Sequence, residues 1–103
     1  MTVQEAIIKL GISPHLKGFV AIKRAIEILL DNKEVKMTYL YDEIGKEQNT
    51  SGRNIERRMR FAIESGYSHM DKELKKVLFN GKGNIRNFEF LKVVTFAIEN
   101  NLI

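Results

Sequence analysis

Four of the chain's six arginines, Arg53, Arg57, Arg58 and Arg60, fall within eight residues of the stretch GKEQNTSGRNIERRMRFAIESGY at 45–67. At about 100° per residue, a helix over 53–66 sets Ile55, Met59, Ala62 and Ile63 on one side. Arg53, Asn54, Arg57, Arg60, Phe61 and Glu64 fall on or near the other. The first face is core. The second carries the groups that DNA reading needs. Arginine binds phosphate, or guanine through paired hydrogen bonds; asparagine binds adenine; an apolar group touches the thymine methyl. A solvated helix with Phe61 covered by a neighbour is the competing reading of the same pattern.

Other chemistry is missing from the sequence. No nucleophile–base pair, glycine-rich phosphate loop or metal-ligand cluster occurs. The two histidines, His15 and His69, are far apart, and each reads as a surface or capping residue. Carboxylates are scattered, at helix caps or in i,i+4 pairs such as Glu56 with Arg60. The sequence therefore predicts no enzyme, no metal and no cofactor.

The residues upstream determine how such a face would be presented. Thr38 is an expected N-cap for a helix TYLYDEIGKEQ with Leu40, Tyr41 and Ile44 inward. Gly45 is small enough for a close crossing. Asn49 can take the left-handed conformation that ends a helix, and Thr50 and Ser51 can cap the next. The order is helix, short turn, helix, which is the arrangement that inserts its second helix into the major groove. Gln48 and Arg58 stand where such motifs usually carry apolar residues, and many helical hairpins share the pattern.

Helices are expected through the rest of the chain. Thr2 and Glu5 have capping-box spacing, Val3, Ala6, Ile7 and Leu10 point inward, and Gly11 suits the position after the helix. Ser13 as cap and Pro14 at the first helical position predict a second helix running to about Leu30. Its stripe of Leu16, Phe19, Ile22, Ile26 and Leu29 makes it the central core helix. Gly18 within it implies a close crossing, and Lys17, off the stripe, can reach a phosphate. Gly66 suggests the end of the helix at 53–66, with Tyr67 packing back on the core. Asp71 caps a short helix with Leu74, Val77 and Leu78 inward. NGKGN at 80–84 is an exposed loop, and Asn87 is the expected cap of the last helix, FEFLKVVTFAIEN. Phe88 and Phe96 are extra apolar residues around that helix's inner face, so it is either well buried or a self-association surface.

At 103 residues, one domain spanning 1–103 is the default. Apolar residues make up 44%, enough for one core, and the net charge of +4 matters less for its size than for its clustering in one helix. Without cysteine there is no disulfide framework, thiol nucleophile or cysteine-ligated zinc. No apolar run approaches the length of a membrane span, about 18 residues, and the N-terminus lacks a signal-peptide pattern. A cytoplasmic protein is the expectation.

Laid out this way, the chain resembles the C-terminal DNA-binding effector domain of the sporulation stage-zero response regulator of endospore-forming Firmicutes. Three pieces carry the resemblance: GISPHLKGFVAIKRAI at 11–26, EIGKEQNTSGRNIERRMRFAIE at 43–64 and NFEFLKVV at 87–94. It implies an all-α bundle of six helices around a helix-turn-helix. It also implies a sequence-specific transcription regulator whose partner is double-stranded DNA, with the helix at 53–66 reading a TGTCGAA-like promoter box. Carried over, the base-contacting positions are Asn54, Glu56, Arg57, Arg60 and Phe61. Glu56, Arg57 and Arg60 match the family, whereas Asn54 stands in place of an arginine and Phe61 in place of a histidine. Arg57 and Arg60 are then expected to read guanines, with Glu56 accepting from a cytosine or orienting Arg60. Thr50, Ser51, Arg53 and Arg58 would hold phosphates. The resemblance further implies a homodimer on tandem sites through the last helix, 88–99, and contact with the RNA polymerase sigma subunit from the region after the recognition helix. Full-length members also carry a receiver domain; none is expected within these residues, so no phosphorylation switch is assigned to them. The alternative is a stand-alone helical interaction module that pairs with and modulates a full-length regulator.

Overall fold

Phe19, Ile22, Ile26 and Leu29 recur every three or four residues, and the helix that carries them is the one the others surround. In the computed structural model, which describes residues 1–103, six helices follow one another without a strand. They are α1 (Val3–Lys9), α2 (Lys17–Asp31), α3 (Met37–Glu47), α4 (Gly52–Ser68), α5 (Lys72–Phe79) and α6 (Asn87–Glu99). Helix α2 touches α1, α3, α4 and α6, while α5 packs on α6. One continuous core of 22 buried residues joins all six helices. The expected all-α, six-helix architecture is what forms, and no helix is long and apolar enough to cross a membrane.

The helix ends follow from local chemistry. At α1, the Thr2 hydroxyl accepts from the Glu5 amide and the Glu5 carboxylate accepts from the Thr2 amide, the reciprocal pair its spacing predicts. Those hydrogen bonds from Thr2 hold the Glu5 carboxyl below its ordinary pKa. Gly11 (φ 92°), Asn49 (φ 56°) and Asn101 (φ 54°) all adopt the left-handed conformation. After each, the next amide reaches a carbonyl five residues back: Ile12 to Ile7, Thr50 to Gly45, Leu102 to Ala97. These bonds satisfy helix-end carbonyls that would otherwise be orphaned.

Four boundaries or faces differ from expectation. Ser13 and Pro14 do not begin α2. They form a separate turn, closed by the Leu16 amide donating to the Ser13 carbonyl, and extended Leu16 then starts the helix at Lys17. The break lets Leu16 pack against the core. Thr38 is not a cap: α3 begins two residues earlier than that cap would give, at Met37, after Lys36, which makes no side-chain cap bond. Val35 and Leu40, flanking that start at hydrophobic-staple spacing, both join the core and fix where the chain enters. Gly66 does not end its helix, which continues to Ser68 and finishes at His69. A Cβ there would lie 2.6 Å from Ile12 Cγ1, so its small size serves packing. Finally, Val77 is 70% exposed; Phe79 is the α5 residue that turns inward, edge-on to Tyr67 and stacked on Phe90.

The tightest crossing joins α2 to α4 at Gly18. A Cβ at Gly18 would overlap the Arg58 carbonyl and sit 2.7 Å from Ala62 Cβ. Backbone cannot yield as a flexible side-chain tip can, so Gly18→Ala is expected to cost about 2 kcal/mol through overpacking. Gly83 has nothing within 4 Å and no positive φ. Gly83→Ala is therefore expected to stay within about 0.5 kcal/mol of the parent protein. Urea unfolding of the two variants measures both; equal stabilities would refute the close crossing.

Candidate nucleic-acid interface

Helix α4 opens at Ser51, whose hydroxyl accepts from the Asn54 amide at 3.1 Å. The turn before it is drawn in closely. A Cβ at Gly45 would lie 2.7 Å from the Thr50 carbonyl oxygen, so glycine is what allows the start of α4 to lie against α3. From that start, Ile55, Met59, Ala62, Ile63, Gly66 and Tyr67 are buried. Arg53, Asn54, Arg57, Arg60, Phe61 and Glu64 are all exposed, which is the division the helical spacing predicts. Phe61 is 63% exposed, so no neighbouring helix covers it.

The polar residues of this face are held to different degrees. Arg53 and Arg57 form no ion pair with any carboxylate. Asn54 Nδ2 donates to Thr50 Oγ1 at 2.9 Å, which ties this amide back over the start of its own helix. Arg58 is half-buried, and its Nη1 donates to Gln48 Oε1 at 3.3 Å. The two positions that depart from the usual apolar pattern thus satisfy one another across the turn. Arg60 Nε lies 3.3 Å from Glu56 Oε2, one turn earlier on the helix.

Two depressions flank α4. On one side, Arg57, Arg58 and Phe61 line an open groove of about 450 Å³ with His15, Leu16 and Lys17. Lys17 at the start of α2 therefore extends the basic face, and the turn before it adds the exposed imidazole of His15. On the other side is a cleft of about 520 Å³ whose lining includes Tyr41, Glu56, Arg60, Arg86 and Asn87. His69 lies away from both grooves, at the end of α4, with Nδ1 2.9 Å from the Ser65 carbonyl oxygen.

Asn87 corrects a further expectation. It does not cap α6; Arg86 occupies that position without a side-chain cap bond, and Asn87 is the first helical residue. Its side chain is buried between α3 and α4. Nδ2 lies 3.1 Å from Tyr41 Oη, 3.2 Å from the Glu56 carbonyl oxygen and 3.5 Å from Glu56 Oε2. Burial raises the Tyr41 pKa above its ordinary value, partly offset by the Asn87 hydrogen bond, with Glu56 pushing further up. Sequence reasoning missed this link because an asparagine before an apolar run looks like a cap. Its partners lie 31 and 46 positions away. Arg86, beside Arg60 in the same cleft, was missed for a simpler reason: it is isolated in sequence from the other arginines.

The arrangement is a cation-rich, amide-bearing helix face held out from a rigid core, with further basic groups on one flank. It presents hydrogen-bond donors for phosphates and base edges. Residues 3–98 match the family model described as sporulation initiation factor Spo0A C terminal, which is nearly the whole chain. The chain belongs to the Spo0A C-terminal family and is a DNA-binding domain of a sporulation transcription regulator.

Proposed function

We propose that the protein reads a short promoter box in a sequence-specific way, with α4 in the major groove and α3 crossing above it. The observation that supports this reading most is the sharp division of α4. Its apolar face is fully buried, and Arg53, Asn54, Arg57, Arg60 and Phe61 all lie outside. Arg57 and Arg60 are the guanine readers, Asn54 contacts adenine, and Phe61 meets a thymine methyl. Glu56 accepts from a cytosine or holds Arg60. Thr50, Ser51, Arg53 and Arg58 bind phosphates, and Lys17 adds another beside the Phe61 groove. The site needs neither cofactor nor metal, and its setting is the cytoplasm.

Two further partners belong to the same reading. Phe88 and Phe96 are more than half exposed on α6, which supports a homodimer on tandem boxes through residues 88–99. The region after α4 is the candidate contact for the RNA polymerase sigma subunit. A second reading uses the same apolar surface. Val77, Phe96 and Leu102 are exposed around a shared groove, and this favours an interaction module that pairs with a full-length regulator.

Fluorescence anisotropy with a duplex holding two tandem TGTCGAA-like boxes, and with a scrambled duplex, separates the two readings. A reader that neutralises about four phosphates loses roughly 100-fold in affinity between 50 and 200 mM salt. Box preference with that salt dependence is the expected result; absence of binding at low salt would favour the interaction module. Arg57→Ala and Arg60→Ala are each expected to lose about 1–3 kcal/mol of discrimination between boxed and scrambled DNA. Full preference in both variants would refute the base-reading assignment. Arg53→Ala is expected to weaken both duplexes equally and to reduce the salt slope by about one.

A further inference from the structure

We infer that Asn87 is a positioning residue that sets the direction in which Arg60 points, acting through Glu56. The inference rests on the reading of α4 as the base-reading helix and adds a residue from outside that helix to its specificity.

Asn87 is 7% exposed, and only one other polar residue, Thr95, is as deeply buried. A primary amide in that setting costs free energy unless its donors are used. Asn87 spends its two N–H donors on Tyr41 Oη of α3, at 3.1 Å, and on the Glu56 carbonyl of α4, at 3.2 Å, while Glu56 Oε2 lies 3.5 Å from the same nitrogen. The bond to the Glu56 carbonyl fixes the height of α6 against α4. The positive edge of the same amide faces Oε2 at 3.5 Å and favours this placement of the carboxylate. That same oxygen takes Arg60 Nε at 3.3 Å. An arginine held at Nε keeps both terminal nitrogens free, and these are the donors that can meet guanine O6 and N7 as a pair.

Without the tether, Glu56 and Arg60 would be an ordinary exposed i,i+4 pair. Such a pair is too weak, at about 0.3–0.5 kcal/mol, to keep a long side chain in one geometry. The Asn87 amide restrains the carboxylate from the buried side, so Arg60 meets a partner that is already placed. Preorganised donors lose less on binding than donors that must be ordered on contact. Its place before an apolar run disguises it as a helix cap.

Two variants test the inference without depending on one fold outcome. Asn87→Ala removes both donors. Asn87→Asp keeps the size and suits the first turn of α6, where a carboxylate is favoured by the helix dipole, yet it repels Glu56 instead of holding it. Each is measured for the ratio of affinities for the boxed and scrambled duplexes, for thermal unfolding, and for the Arg60 Nε–H nuclear magnetic resonance signal without DNA. In Asn87→Asp we expect a folded protein with a lowered unfolding temperature, an exchange-broadened Nε–H signal, and a ratio reduced about fivefold or more, the size of a ~1 kcal/mol coupling. Affinity for the scrambled duplex should not change. In an Arg60→Ala background, neither Asn87 substitution should lower the ratio further. A folded Asn87→Asp protein with the parent ratio would overturn the inference alone, as would an equal loss in the Arg60→Ala background. An Arg60→Ala protein that itself kept the parent ratio would overturn the base-reading assignment and the inference with it.

Discussion

The close passage of α2 over α4 at Gly18 is the constraint on which the rest depends. With no side chain at Gly18, the backbone of α2 comes against the Arg58 carbonyl and the Ala62 methyl. At that separation α4 cannot roll, because Ile55, Met59 and Ile63 on either side of the contact are fully buried. A helix has one free rotation about its axis, and here the core removes it. The direction of the arginine face is thus decided by apolar packing on the reverse side. Elsewhere glycines perform a similar service: Gly45 admits the start of α4 against α3, and Gly66 admits Ile12 and the Gly11 turn.

Polar contacts then refine what packing has fixed. Arg58 and Gln48 lie where an apolar pair would serve stability equally well, and they satisfy each other across the turn. Ser51 caps α4, and Asn54 folds back onto Thr50. These bonds lie at the partly exposed edge, where a neutral hydrogen bond contributes only about 1 kcal/mol. Their effect is on geometry more than on stability, since they hold side chains near positions where DNA would meet them. The least restrained cations, Arg53 and Arg57, have no carboxylate to leave before they meet phosphate or base.

What was legible in the sequence is what depends on neighbours within a turn or two. The capping box at Thr2 and Glu5, the left-handed Asn49, the Ser51 cap and the two faces of α4 all formed as their spacing predicts. Local signals failed where a distant partner decided the outcome. Gly66 looks like a helix end, yet Ile12 is what requires its small size. Ser13 and Pro14 look like a helix start, yet Leu16 breaks the run to reach the core. Val77 fits an inward stripe, but α5 meets the core through Phe79, which Tyr67 and Phe90 hold. In the site itself, each arginine of α4 could be named, but the link from Asn87 to Glu56 could not, because it spans 31 positions and involves a residue type with several common roles.

Asn87 also makes the quality of the core part of the site. It is the first residue of α6, so its amide is only as fixed as that helix. The docking of α6 rests on Phe90, Leu91, Val94 and Ala97, all fully buried, with Phe79 stacked on Phe90. Of the Asn87 contacts, those to Tyr41 Oη and the Glu56 carbonyl are of ordinary length, and the one to Glu56 Oε2, at 3.5 Å, is the weakest. On the proposed role of Asn87, a loosened α6 is expected to weaken the long contact to Glu56 first. Small losses of packing around Phe90 are then expected to act on the orientation of Arg60, while Arg53, the proposed phosphate contact, is left in place. Specificity should for that reason be more sensitive than affinity to defects in the α6 core.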